Sequence, residues 1–394
     1  MANIATGLDQ FAQEYWKQFR GQSLGLLANQ ASVDHNLKNT KDVISSLLPG
    51  QLKIIFGPQH GFTGEDQDNM VETEDYVDPA LHIPAISLYG RKTDRLSHFL
   101  DTIDLLVIDL QDVGTRVYTF ISTMLFCLKE AAKAGKRVLL LDRPNPLGGV
   151  IVEGNLLRPE FYSLVGPFAL PMRHGMTMGE LANLFRDAFQ IGCELTVLPL
   201  KGWFRHMSWK DTGLRWVMPS PNMPLSETAQ VYPGQVIWEG TNISEGRGTC
   251  RPFEIFGAPF INPFVIKKQL ASEDMEGCYL QEHYFRPTFN KWKNERCGGF
   301  MIHVIDPITY RPCRTSLALL TIIKETYGDK FTWRKPPYEY DFERFPIDLI
   351  LGDSSIRLAL DERKESKKLV RDYIQELEGF LEFRKPYLMY KEQC

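Results

Sequence analysis

The 394-residue sequence predicts an α/β protein: a Rossmann-like, mostly parallel sheet with helices on both faces, joined to a smaller C-terminal α+β domain. Three observations carry this expectation. Short runs of Leu, Ile and Val bounded by polar or glycine residues recur along the first part of the chain, and helical patterns fall between them. Beyond about residue 264 the chain changes character, with longer strands and an amphipathic C-terminal helix.

Taken in order, Ser23 to Ala28, Leu52 to Phe56, Asp104 to Leu110 and Arg137 to Leu141 are predicted strands, because uninterrupted apolar runs suit strands buried on both faces. Thr40 to Leu48 and Tyr118 to Ala134 are predicted helices. The second aligns Ile121, Leu125, Leu128 and Ala132 on one side, with Gly135 as its C-terminal stop. Strand, helix, strand in alternation implies crossovers and a parallel sheet. A helix from Thr177 to Phe189 opens on a capping box, Thr177 with Glu180, and leads to a strand at Glu194 to Leu198. From Lys201 to Pro263 seven prolines forbid long helices, and Trp203, Trp209, Trp216, Tyr232 and Trp238 are interleaved with them. Such aromatics either stack on a sugar or staple a loop to the core, and for any single tryptophan the staple is the safer reading. Tyr279 to Arg286 and Gly299 to Val304 are predicted strands and Ser316 to Tyr327 a helix. The last helix carries Leu369, Val370, Tyr373, Ile374, Leu377, Phe380 and Leu381 at helical spacing. The expected division is 1–263 and 264–394, each domain with its own core.

Composition narrows the function classes. With 43% hydrophobic and 24% charged residues and a net charge of −4, the chain has no basic footprint for nucleic acid. No segment is apolar and long enough to span a bilayer, so no membrane partner is expected. The first twenty residues include Asp9, Glu14, Lys17 and Arg20 and lack an apolar signal core, which predicts a cytoplasmic protein. Seven dispersed cysteines fit reduced thiols, and Cys250 reads as a small buried apolar residue.

Chemistry is expected in two places. Trp238 to Thr249 packs two carboxylates, an amide, three hydroxyls and a guanidinium among three glycines, a composition suited to a ligand site. The other place is the rim at the strand C-termini, where open α/β sheets bind ligands: Gly57 to Gly61, Asp109 to Arg116 and Asp142 to Pro146. No GxGxxG follows the first strand, so a dinucleotide cofactor is not expected. Neither HxH nor HExxH spacing supports a metal, and no cofactor of any kind is predicted.

The strings GPQHGFTG (57–64), SLYG (87–90), DLQDVGTRVYTFIST (109–123), LDRPNPLGG (141–149), RHGMTMGELA (173–182), PSPNMP (219–224), YPG (232–234) and EGTNISEGRGT (239–249) resemble the NamZ family of exo-β-N-acetylmuramidases. The resemblance covers roughly residues 23–390. It implies a Rossmann-like N-terminal domain, a smaller C-terminal domain and a site in the cleft between them. It also implies a glycosidase of peptidoglycan turnover that releases N-acetylmuramic acid from non-reducing ends. The expected partner is a small muropeptide or disaccharide fragment. One position departs from the family pattern: Gln59 stands where a glutamate precedes the histidine, and an amide cannot transfer a proton. Glu65, Glu72 and Glu74 lie just downstream as possible substitutes. The departure keeps open a muropeptide binder with reduced catalysis, or a glycosidase of a different N-acetyl sugar.

Glycoside hydrolysis normally uses two carboxylates, and substrate assistance by an acetamide is a recognised exception. Glu239 and Glu245 are the expected pair, with Asp112 or Asp109 to orient and His60 or His174 as proton-transfer partners. The lactyl carboxylate that the resemblance brings calls for an arginine fork, first Arg247, then Arg116, Arg143 and Arg173. Asn145, Asn222 and Asn242 would meet sugar hydroxyl or acetamide groups, and Gln59 would also bind substrate.

Overall fold

The structure is a computed structural model that describes residues 4–90, 95–362 and 376–392. Its central sheet is built from β1 (Leu24–Ala28), β2 (Leu52–Gly57), β3 (Tyr76–Val77), β4 (Pro84–Ser87), β5 (Leu105–Asp109) and β6 (Arg137–Leu141). A hairpin of β7 (Glu153–Leu156) and β8 (Pro171–Arg173) follows, and β9 (Leu195–Leu198) completes the sheet. The strand order is β3-β4-β2-β1-β5-β6-β9, parallel except for the β3 edge. The predicted parallel sheet is therefore present. Its order reverses between β1 and β5, which lie in register from Leu24 against Leu105 to Ala28 against Asp109. A ligand crevice belongs at the C-terminal ends beside such a switch point.

Side-chain alternation sorts the two faces. Leu24, Leu26, Val107 and Leu139 pack with Leu8 and Phe11 of α1 (Gly7–Gln13) and Val43 and Ile44 of α2 (Thr40–Leu47). Leu27, Leu106, Ile108 and Leu140 point the other way. They meet α3 (Leu96–Leu100), α4 (Phe120–Lys133) and α5 (Met178–Ala188). Both faces of the central strands β1 and β5 are buried, which is why they read as unbroken apolar runs. The Thr177–Glu180 capping box opens α5 as predicted.

The proline-rich stretch holds the short α6 (Trp209–Thr212) and a ten-residue helix, α7 (Ser226–Gln235), with Pro233 inside its last turn. Pro233 lacks the N–H that would bond the Ala229 carbonyl, yet the helix continues past it, so the expectation that the prolines of 201–263 forbid long helices is corrected here. Strand β10 (Ile255–Ala258), also within this stretch, joins β11 (Cys278–Phe285) and β12 (Cys297–Val304) in an antiparallel sheet of order β10-β12-β11. Further helices are α8 (Pro263–Lys267), α9 (Pro312–Tyr327), α10 (Pro346–Leu351) and α11 (Ser355–Asp361). Gly234 lets α7 sit against α9: a Cβ there would lie 2.0 Å from the Pro312 carbonyl oxygen.

One apolar cluster runs without a break from Leu27 and Ile108 through Trp238 and Phe256 to Leu319, Ile350 and Phe380. One core cluster thus joins residues of both expected domains, with Tyr232 of α7 set edge-on against Tyr118 ahead of α4. Of the predicted C-terminal helix, Leu377, Phe380 and Leu381 fall in a described helical stretch at 376–384, while Leu369, Val370, Tyr373 and Ile374 lie outside the described residues. Cys250 is exposed, contrary to expectation, since its loop faces outward. Among the described residues no helix is long and apolar enough to cross a membrane.

Candidate active site

The chain leaves β2 through Gly57, Pro58, Gln59, His60 and Gly61. His60 takes a φ of +72°, a left-handed conformation that side chains other than glycine adopt at a cost. This turn holds Gln59 and His60 against the start of α4, where Thr119 Oγ1 donates to Gln59 Oε1 at 2.6 Å. His60 Nδ1 donates to the Asp66 carbonyl at 2.5 Å. Burial, helped by the nearby Arg247 charge, lowers its pKa to about 4 despite that bond. The ring is neutral at physiological pH. Around these residues lies a polar cleft. Asn69, Tyr118, Asn222, Tyr232, Glu239, Arg247, Tyr338 and Glu339 complete much of its wall.

Glu239 sits in a short 3-10 turn, Val236–Gly240, that follows α7 directly. Its Oε1 accepts from Arg247 Nη2 at 2.7 Å, and its Oε2 accepts from Tyr338 Oη at 2.6 Å and Asn69 Nδ2 at 3.2 Å. Burial by itself would raise this carboxyl. The Arg247 charge, the Tyr338 and Arg247 hydrogen bonds and the more distant Lys291 outweigh it and hold Glu239 below the usual glutamate range. Arg247 also reaches Glu245 through Nε at 3.3 Å, the Gln67 carbonyl at 3.1 Å and Asn69 Oδ1 at 3.2 Å. The guanidinium therefore stands between the two expected catalytic glutamates. Glu245 turns away from the cleft wall and pairs with Lys291 Nζ at 2.7 Å.

The second carboxyl in the wall is Glu339, which sequence reasoning missed. It lies at the tip of a tight turn closed by mutual backbone bonds of 2.9 Å between Tyr338 and Asp341. Both central residues have positive φ, Glu339 at +47° and Tyr340 at +64°, the arrangement of a type I′ turn made without glycine. Gln59 Nε2 donates to Glu339 Oε1 at 3.2 Å, and Tyr89 Oη donates to Oε2. Burial comes first among the causes that push Glu339 up to about 7; the Tyr89 and Gln59 bonds oppose it, and the Glu239 charge adds to it. The cleft thus carries one carboxyl held ionised and one that titrates near neutrality. The position that departs from the family pattern is in direct contact with the second.

The other expected site residues lie in the frame. Arg116 donates to four backbone carbonyls, those of Asn155, Leu170, Ile350 and Leu351. Arg143 pairs with Asp109 and the Val33 carbonyl, and Arg173 donates to the Leu147 carbonyl. Asn145 bridges Met176 and Leu147, and Asn242 ties its loop to Lys330 and Thr332. His174 Nδ1 accepts from the Met176 amide, and its Nε2 lies 3.5 Å from Asp112, whose carboxylate caps the Gly114 amide. Asn222 does line the cleft and holds the Gln67 backbone. None of these frame residues, nor Glu65, Glu72 or Glu74, is in the cleft wall apart from Asn222. Of the aromatic residues, Tyr232 faces the cleft. Trp238 stacks on Phe256 at 5.0 Å inside the core, and Trp203 and Trp209 are buried staples.

Sequence and structure comparisons agree with this architecture. The model of the N-terminal domain of exo-β-N-acetylmuramidase NamZ matches residues 24–227, and that of its C-terminal domain matches residues 230–390. A peptidoglycan β-N-acetylmuramidase NamZ from Bacillus subtilis strain 168 is 38% identical over 387 residues, 98% of this chain and 91% of that protein. Two crystal structures of DUF1343 family proteins from Bacteroides fragilis superpose on the fold. One has a TM-score of 0.89 at 30% identity, covering 99% of this chain and 100% of the other. The second has a TM-score of 0.77 at 25% identity, with both chains covered in full. The two domain models together span nearly the whole sequence, and the chain belongs to the NamZ family of exo-β-N-acetylmuramidases.

Proposed function

We propose that the protein is an exo-acting glycosidase that releases N-acetylmuramic acid from the non-reducing ends of peptidoglycan fragments. Family membership supports the reaction class, and the observation that carries the site assignment is the buried Glu239–Arg247 pair in the cleft wall. A carboxylate kept ionised beside a fixed cation suits the work done at the anomeric carbon. It faces the oxocarbenium-like transition state directly, or orients a substrate acetamide that does so. His60, neutral and anchored to Asp66, and Asn222 and Asn69 of the same wall supply hydrogen-bonding partners for sugar hydroxyls. The substrate in this reading is a short MurNAc-capped glycan or muropeptide.

The test is release of N-acetylmuramic acid from the disaccharide MurNAc-β-1,4-GlcNAc, followed by chromatography, with Glu239→Gln as the comparison. The wild type should turn the disaccharide over, and the variant should lose at least about a hundredfold in kcat, the scale of a lost catalytic carboxylate. Near-normal turnover by folded Glu239→Gln protein would remove Glu239 from the mechanism. Binding without release by the wild type would favour the muropeptide-binding alternative.

A further inference from the structure

Glu339 is a carboxyl buried in the wall of the proposed active site, presented by a turn whose backbone departs from ordinary side-chain conformations. Two independent halves of the fold build its surroundings. From the N-terminal half, Gln59 on the turn after β2 donates to Oε1, and Tyr89 beyond β4 donates to Oε2. Tyr89 Oη itself accepts from Gln59 Nε2 at 3.0 Å and the Met70 amide at 3.0 Å, so its own proton is left to point at Glu339. From the C-terminal half come the flanking Tyr338 and Tyr340. The other ionisable groups of this cleft wall are Glu239, Arg247, Tyr232, Tyr118 and the neutral His60.

This is more support than a structural carboxylate needs. A glutamate whose only task was to tie the turn down would gain from an arginine or lysine partner, as Glu245 gains from Lys291 and Arg247. Among the described residues no cation pairs with Glu339. It receives neutral donors only, and in a buried cleft that favours a carboxyl able to hold a proton.

We propose that Glu339 is the proton donor of the glycosidase, with Gln59 and Tyr89 as its positioning residues; this rests on the glycosidase reading above. The Glu339 O–H proton passes to the glycosidic oxygen as the bond from that oxygen to C1 breaks, and the bonding electron pair stays on the oxygen. The leaving sugar departs as an alcohol. Water replaces it at C1, and the proton that water sheds returns to the Glu339 carboxylate. Glu239 remains ionised throughout the first step and meets the charge that develops at C1. Gln59 is then compatible with catalysis: an amide that holds Glu339 leaves it the one titrating carboxyl in that corner, where a second carboxyl would share its proton.

Proton donation has a signature that a structural role lacks. A glycoside with a poor leaving group needs the proton, whereas an activated dinitrophenyl glycoside leaves as a stable phenolate without one. Glu339→Gln should lower kcat on MurNAc-GlcNAc by about a hundredfold or more, yet lower kcat on the dinitrophenyl β-glycoside of N-acetylmuramic acid by less than about tenfold. Wild-type activity on the disaccharide should fall as pH rises through about 7, where Glu339 loses its proton, and this limb should vanish in Glu339→Gln. Tyr89→Phe provides a second reading. It removes a hydrogen bond that favours the ionised carboxyl, so the alkaline limb should move to higher pH. Equal losses on both glycosides, or an alkaline limb unchanged in Glu339→Gln and Tyr89→Phe, would overturn the assignment while leaving the glycosidase reading intact. A wild-type protein that turns over neither glycoside would overturn both together.

Discussion

Arg247 bonds Glu239, Glu245, the Gln67 carbonyl and Asn69, so its charge is already committed to two carboxylates within the protein. That geometry changes what its replacement should do. A lactyl carboxylate brought to this guanidinium would approach Glu239 as well, and like charges at short range repel. Arg247 is better placed to keep Glu239 ionised. Arg247→Lys keeps a positive charge but loses the planar fork that reaches both glutamates. It should lower kcat by about tenfold or more on muramyl and glucosaminyl glycosides alike, a modest part of the loss expected for removing the carboxylate itself. Steady-state kinetics on the two dinitrophenyl glycosides checks this. A loss confined to the muramyl substrate would return Arg247 to recognition of the lactyl group.

At the scale of elements, legibility followed burial. Strands β1, β5 and β6 were readable because both faces are covered and the sequence is continuously apolar. The edge escaped notice: β3 has two residues, one of them the exposed Val77, and β4 begins with a proline. Glu239, His60 and Arg247 were found because glycines and polar groups cluster around them in sequence. Glu339 was not, because its partner Gln59 lies 280 residues away and the local string Pro336 to Tyr340 reads as an ordinary breaker. The aromatic pair flanking one acid was the only signal available. Helix α7 shows how packing decides a position that propensity would fill differently. Alanine in a helix interior is favoured over glycine by about 1 kcal/mol. At Gly234, however, a Cβ would lie 2.0 Å from the Pro312 oxygen and 2.4 Å from Ser316 Oγ. Overpacking of this kind costs about 1–3 kcal/mol and displaces backbone. Gly234→Ala should therefore destabilise the protein and, because Tyr232 on the same helix lines the cleft, reduce activity too. A denaturation midpoint equal to or above that of the wild type would refute the close contact between α7 and α9.

For the whole molecule, the two halves are joined by buried polar groups as well as by the shared core. Arg116 links the β7–β8 hairpin region to the end of α10 through carbonyls at Asn155, Leu170, Ile350 and Leu351. Glu153 on β7 does the same toward α9, its Oε1 accepting from the Arg314 amide at 3.0 Å. Its other oxygen is buried without a hydrogen-bond partner. Burial raises this carboxyl to about 7, against the lowering influence of the Arg314 amide and the Arg173 charge. The sign of the stability effect follows from linkage. A carboxyl whose folded pKa is above its unfolded value near 4.5 contributes fully below that unfolded value, and the contribution is lost as pH rises through about 7. The shift corresponds to about 3 kcal/mol across that window. Glu153→Gln keeps an acceptor for the Arg314 amide and removes the charge, so it resembles the protonated wild type at every pH. The two proteins should melt at similar temperatures near pH 4, and the variant should melt a few degrees higher at pH 8. Thermal denaturation of both across pH 4 to 8 reads this directly. A gap that stays constant with pH would mean that Glu153 is ionised throughout and compensated by Arg173, and the link between the halves would then be an ion pair rather than a protonated acid.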